Sequence, residues 1–450
     1  MNKQSSMKTT ICIPGIIALL FLGMPFASCK KKKSPGINKV NHVVVIYLEN
    51  HSYDNLYGQF AGANGLSNAT AANTTQVDAS GAAYAFLPTI TGTTAFPANL
   101  PNTYFNIDQY VPADMKIPDV LHRYYQEQLQ IDGGKMDKFA LYNSSSGLTM
   151  GYYKTSLLPL ATLAQQYTLC DNFFHSAFGG SFLNHIWLIA AASPVFPGAP
   201  TSIVATVDAT GKLIKDGTVT PDGYAVNTAY SVNAPHPAST SPANLIPNQT
   251  MPTIGDRLTA KNVSWAWYSG GWNDALAGNP DPTFQFHHQP FIYFTPYADG
   301  TAAKKEHLLD ESAFVAAAKN GTLPSVSFIK PVGLDNEHPG YADVVRGEQH
   351  TVELINQVLN GPNGKDAVII ITYDENGGFW DHVAPPVIDK WGPGSRVPTI
   401  IISPFAKKGY VDHTQYETVS ILSFIEQRWG LQPLTDRDKN AKPLTGAFEF

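Results

Sequence analysis

The chain has 450 residues, 43% of them hydrophobic and 15% charged, so it is long and apolar enough to bury a large core and does not have the composition of a disordered chain. A formal charge of −6 offers no electrostatic footprint for nucleic acid. Its 36 glycines and 33 prolines call for many loops, and three cysteines, Cys12, Cys29 and Cys170, are too few for a disulfide framework.

Residues 1–28 form the first predicted element. Lys3 and Lys8 precede an apolar stretch starting at Ile11, and small residues follow it, which is the layout of a secretory signal. Phe26-Ala27-Ser28-Cys29 resembles a bacterial lipobox. Cleavage before Cys29 and lipidation of that cysteine would make the mature protein exported and lipid-anchored in a bacterial cell envelope, periplasmic or at the cell surface; a plain signal peptide and an uncleaved anchor are the competing readings. Residues 29–40, with Lys30 to Lys33 and Ser34-Pro35-Gly36, read as a polar tether to a single elaborated domain over 41–450. No later apolar run approaches the roughly 18 residues of a membrane span.

Val43 to Leu48 is too short and too β-branched for a helix, and a near-continuous apolar run fits a strand covered on both faces of a parallel sheet. It runs directly into Glu49 and Asn50, and ligands gather at the carboxyl ends of such strands. A glutamate capping a turn or pairing with a surface lysine accounts for this stretch equally well. A polar excursion over 61–112 precedes helix-like runs at Ile117 to Gln130, which holds His122, and at Leu157 to Gln166. Cys170, in YTLCDNFF, is expected to be a buried structural thiol. In HSAFGGSFLNHIWLIAAAS, Ser181 follows Gly179-Gly180 and opens an apolar helix-like run. The glycines permit close backbone approach, and the start of a helix favours an anion or a developing alkoxide, although a serine there is commonly an N-cap.

After a second excursion over 193–252, strands are predicted at Ser264 to Tyr268, Ser325 to Ile329, Ala367 to Thr372 and Val397 to Ile402. Helices are predicted at His307 to Lys319, Val344 to Leu359 and Thr418 to Trp429, and the alternation gives an α/β domain. FQFHHQPFIYF supplies His287 and His288, and NEHPGYAD supplies His338; any one of them is more often a core or surface histidine than a ligand. Ala367 to Thr372 leads into Asp374 and Glu375. If this strand neighbours Val43 to Leu48, then Glu49, Asn50, Asp374 and Glu375 converge on one divalent cation. An all-oxygen set with an amide suits Ca, Mg or Mn, with Zn left open, whereas Asp374-Glu375 alone also fits a turn.

Taken in order, ENHSYDNLYG, GGSFLNH, FQFHHQPF, NEHPGYAD and TYDENGGFWDHVAPP resemble the bacterial acid phosphatase and phospholipase C phosphoesterase family of the alkaline-phosphatase-like superfamily. The resemblance implies a central, mostly parallel sheet flanked by helices, with long loop insertions. It also implies a divalent cation on Glu49, Asn50, Asp374 and Glu375, with Ser181 as the nucleophile that is phosphorylated and hydrolysed. His122, His288 and His338 would contact the phosphate or move protons, with Asn184 and His287 binding substrate. The GGSFLNH and HHQPF forms look nearer the acid-phosphatase branch, which makes a phosphomonoesterase the first expectation and a phospholipase C or other phosphodiesterase the second. A sulfatase is disfavoured because no C-x-P-x-R segment is present. A non-catalytic surface lipoprotein that binds sugars or lipids is the alternative of a different class. Protonated histidines would favour an acidic optimum.

Overall fold

Strand β1 (His42–Leu48) carries the sequence HVVVIYL, and Val43 through Leu48 are fully buried. A strand with no polar face has to be covered on both sides and paired on both edges, and that is its position in this computed structural model, which describes Met1 and residues 36–450. The expected signal and lipobox lie outside the described residues. Residues 37–40, read as the end of a tether, belong to the folded body instead: Ile37–Lys39 is a 3-10 turn, and Ile37 and Val40 are fully buried.

The other strands of the main sheet are β2 (Thr168–Cys170), β3 (Trp265–Ser269), β4 (Leu308–Asp310), β5 (Val326–Lys330), β6 (Ala367–Tyr373), β7 (Thr399–Ile402) and β8 (Tyr410–Asp412). Their spatial order is β4-β3-β5-β1-β6-β7-β2-β8, and all are parallel except β7. The sheet is therefore mostly parallel, as expected, with one reversed strand. Three of its strands, β2, β4 and β8, have three residues each and were not predicted.

The helices that matter to the site are α1 (Tyr53–Tyr57), α2 (Tyr124–Ile131), α3 (Ser181–Ala190), α4 (Glu311–Asn320), α5 (Val344–Leu359) and α6 (Thr418–Trp429). α2 begins later than predicted. Leu121 spends its backbone N–H and C=O on the Asn143 side chain, so the stretch carrying His122 stays outside the helix. The run predicted as one helix over 307–319 is divided: Leu308–Asp310 pairs as edge strand β4, and the Asp310 carboxylate caps α4 by accepting from Ser312 N. Cys170 is buried, as expected.

Register decides what the sheet presents at its end. Val43 pairs with Val326 on one side and Val368 on the other, and Leu48 pairs with Tyr373. The next residues are Glu49 and Asp374, joined through a hydrogen bond from Asp374 N to Leu48 O at 3.0 Å. Because side chains alternate along strands, a slip of one residue would turn one of these carboxylates away from the other.

Candidate active site

Four elements converge at the carboxyl end of β1, β5 and β6. Glu49 is buried, and its Oε1 lies 2.5 Å from His288 Nε2 and 3.2 Å from Lys330 Nζ, while Oε2 accepts from Asn336 Nδ2 at 2.8 Å and from the Tyr341 hydroxyl at 2.9 Å. Lys330, the last residue of β5, also reaches Asp374 Oδ2 at 3.4 Å. On the other side, Asn50 Nδ2 donates to Glu375 Oε1 at 2.7 Å, Gly377 N donates to Glu375 Oε2 at 2.6 Å, and His122 Nε2 stands 3.8 Å from Glu375 Oε1.

Ser181 joins this second cluster. Its Oγ donates to Glu375 Oε1 at 3.4 Å, and it is the first residue of α3 rather than the cap, because Gly180 occupies the N-cap position. The N-cap reading of Ser181 therefore falls, and the hydroxyl faces the carboxylate group from the positive end of a ten-residue helix. The turn before it is held tightly. Gly179 has φ +87, and a Cβ there would sit 2.4 Å from Tyr124 N. Gly179 N donates to Glu127 Oε2 at 2.6 Å, and Glu127 Oε1 is paired with His175 at 2.9 Å, both side chains being buried.

Two assignments change. Asn184, expected to bind substrate, is fully buried and spends its amide on the turn: Oδ1 accepts from Ala177 N, and Nδ2 donates to Ala177 O, Gly179 O and Gly180 O. It positions the Ser181 turn. His288, expected to touch phosphate, sits behind Glu49 as its hydrogen-bond partner, whereas His287 lines the cleft with its Nδ1 unpaired. His122 and His338 also line the cleft, with ring centroids 5.2 Å apart. His382, next to the second carboxylate pair in sequence, belongs elsewhere, in a buried network with Asp54, Asp381 and Arg396 whose charges satisfy one another.

Lys330 was not foreseen, and His185, a fallback should Ser181 fail, was given no place in the site. One turn along α3 from Ser181, His185 donates from Nδ1 to Ser181 O at 2.7 Å, stands 3.6 Å from Asp374 Oδ2 and stacks on His288. The i to i+4 spacing of Ser181 and His185 was the available signal.

The electrostatics follow from burial. Burial opposes ionisation of Glu49, but His288 and Lys330 hold it well below the usual carboxylate range. Burial lowers His288 to about 4 despite Glu49, leaving Lys330 as the fixed cation of that cluster. Burial raises Asp374 well above its ordinary value, and Glu49 and Glu375 raise it further against the pull of Lys330. Glu375 is also raised by burial. His122 goes the other way: burial lowers it, but Glu375 and Asp119 prevail and bring it up to about 9.

Three carboxylates are buried together here and Lys330 reaches only two of them, Glu49 and Asp374, so the cluster holds more acid than its cation can pair, and burial with mutual repulsion raises Asp374 in consequence. Asn50 Oδ1 is a buried acceptor without a partner among the described residues. Both facts fit a divalent cation, and clusters within the site, such as Glu49, His185 and Asp374, bring ligand atoms within 4.8 Å of one another. The cleft in front has a volume of about 360 Å³.

A serine opening a helix, set against carboxylates from adjacent strand ends beside cationic and neutral histidines, is an arrangement suited to nucleophilic attack on phosphorus. The chain belongs to the Phosphoesterase family, whose sequence profile matches residues 40–432. It is 23% identical over 466 aligned residues to the non-hemolytic phospholipase C of Pseudomonas aeruginosa, covering 93% of this chain and 58% of that protein. It is 24% identical over 458 residues to phospholipase C B of Mycobacterium tuberculosis, covering 92% and 79%. It thus spans little more than half the length of the Pseudomonas relative. Among solved structures, it is similar to an alkaline phosphatase superfamily protein from Vibrio parahaemolyticus, with a TM-score of 0.35 and 8% identity over 73% of this chain and 72% of that one.

Proposed function

We propose that the protein is a metal-dependent phosphomonoesterase of the acid phosphatase type, working through a phosphoserine on Ser181. The observation that carries this reading is the Ser181 hydroxyl, free of any capping duty and bonded to Glu375 in a cleft edged by His122. The Oγ–P bond forms as the bond from phosphorus to the leaving oxygen breaks, and the serine proton passes to Glu375 Oε1, the acceptor it already faces. His122 holds Nδ1 against Val120 O at 2.5 Å, which directs Nε2 to the cleft, where it protonates the departing alkoxide. Water then attacks the phosphoserine, with His122 taking its proton, while the Oγ–P bond breaks and Glu375 returns its proton to the departing Ser181 Oγ. The α3 N-terminus and His338 bear on the phosphoryl oxygens throughout. A divalent cation held by Glu49, Asn50, Asp374 and Glu375 supplies positive charge that favours the serine alkoxide and offsets the phosphate charge. Export and lipid anchoring through Cys29 complete the proposal, on the strength of the FASC segment alone.

The relatives named phospholipase C make a diesterase the second reading. Initial rates on p-nitrophenyl phosphate and p-nitrophenylphosphorylcholine separate the two: the monoester is expected to be the better substrate, and a large preference for the choline diester rejects the first reading. Acid-quenched enzyme is expected to carry phosphate on the peptide containing Ser181.

A further inference from the structure

Beyond the catalytic groups, the cleft has a polar far wall made of Arg123, Asn227, Thr228 and Gln285. Arg123 follows His122, and its backbone is pressed against the turn that presents Ser181, since a Cβ on Gly179 would lie 2.9 Å from Arg123 C. Its guanidinium is half-exposed and is held by one nitrogen only, with Nε donating to Asp216 Oδ2 at 2.5 Å. Asp216 comes from the 193–252 insertion and is saturated. Gln126 Nε2 donates to the same oxygen at 2.9 Å, and Gly217 N and Asn227 Nδ2 donate to Oδ1 at 2.7 and 3.4 Å. Neither terminal nitrogen of Arg123 has a hydrogen-bond partner among the described residues, and the same holds for the Thr228 hydroxyl and the Gln285 amide. A fork fixed at Nε with both outer nitrogens open is the geometry that receives a carboxylate or phosphate bidentately.

The cleft offers little to a cationic group. Among the described residues Tyr341 is the one aromatic residue lining it apart from histidines, and its ring is stacked on His338 at 4.4 Å, so these residues form no aromatic cage for a quaternary ammonium. The other cleft carboxylate, Asp119, stands 3.8 Å from His122 and is countered there.

We propose that Arg123, braced by Asp216 of the insertion, recognises an anionic group on the substrate's alcohol, so that the preferred substrates are phosphomonoesters whose leaving alcohol carries a second negative charge. This rests on the phosphomonoesterase reading above. It gives the insertion a role in the site: Asp216 fixes the tilt of the fork, and Asn227 Oδ1 accepts from Tyr124 N at 3.2 Å, tying the insertion to the start of α2.

The test compares kcat/KM for 3-phosphoglycerate and glycerol 3-phosphate, which differ in one carboxylate, with phosphocholine as the cationic case and p-nitrophenyl phosphate as the general monoester. Wild type is expected to prefer 3-phosphoglycerate over glycerol 3-phosphate by roughly tenfold or more, the scale of a charge-assisted hydrogen-bond pair. In Arg123→Gln the ratio is expected to fall to about one, mainly through KM, whereas Arg123→Lys keeps part of it and Asp216→Asn gives an intermediate value. Thermal melts of each variant establish that it is folded. Turnover of p-nitrophenyl phosphate with no preference for the extra carboxylate, or with phosphocholine preferred, overturns the role of Arg123 while leaving the monoesterase reading standing. A preference that survives in folded Arg123→Gln overturns it too. If no monoester is turned over and only the choline diester is, the monoesterase reading falls and this proposal falls with it.

Discussion

Lys330 is a fully buried ammonium set between two carboxylates, and the charge balance of the site turns on it. Lys330→Met leaves Glu49 and Asp374 without their shared ammonium, and removing one partner from a buried charge cluster costs about 3–5 kcal/mol. The variant is expected to melt well below wild type in chelator and to recover much of that loss on adding a divalent cation, a larger recovery than wild type shows; equal melting points with and without chelator would remove the cation-site reading. Ser181→Ala should leave the fold intact while kcat drops by several orders of magnitude, since the covalent route is lost. Near-normal kcat in the folded variant would take Ser181 out of the mechanism. At this scale the sequence announced the paired oxygen-bearing side chains at the strand ends because each pair follows an apolar run. It did not announce Lys330, which ends a strand read as closing at Ile329. Nor could a one-dimensional pattern separate the roles of neighbours: His287 and His288 are adjacent yet face cleft and carboxylate respectively, and Asn184 spends its amide on backbone that only the folded turn brings near.

The turn into α3 is the element that places the Ser181 hydroxyl against Glu375. A Cβ on Gly179 would collide with Tyr124 N, and its positive φ is a conformation side chains resist. Gly179→Ala is therefore expected to cost more than about 1 kcal/mol in stability. It should also lower kcat more than it raises KM, because the clash moves Ser181 off Glu375. Unchanged kcat in a folded Gly179→Ala protein would show that the turn has slack. The long strands and α5 were legible because periodicity and apolar runs extend over many residues. The three-residue strands β2, β4 and β8 were not, since three residues hold too little pattern and pair only because neighbours supply their partners. The late start of α2 was hidden for a related reason, Asn143 being 22 residues away from the backbone it diverts.

Across the whole molecule, stability carries a pH signature from a second pair of acids. Burial raises Glu348 to about 8 from 4.5, and burial and Glu348 raise Glu337 well above the usual range. Each is protonated in the fold while the unfolded chain has already ionised, so stability is fully present below about 4.5 and is lost as pH rises through about 8. Melting temperature is expected to fall across that window, and Glu348→Gln, which keeps one acceptor oxygen, should flatten the fall; an unaltered pH profile would show that the acid is not held protonated. The 193–252 insertion was legible as an excursion but not as a wall of the cleft, because Asp216 and Asn227 contact partners about a hundred residues away. The distance is greater still for the sheet. β1 has both its neighbours in residues 326–373, and Asn50 meets Glu375 across 325 positions of chain. During synthesis, the first apolar strand is therefore made long before either partner exists, and it must wait as an unpaired, aggregation-prone segment while most of the protein is translated. No shorter nascent chain holds both halves of the site: the cleft takes shape only once β6 has been made and closes against β1.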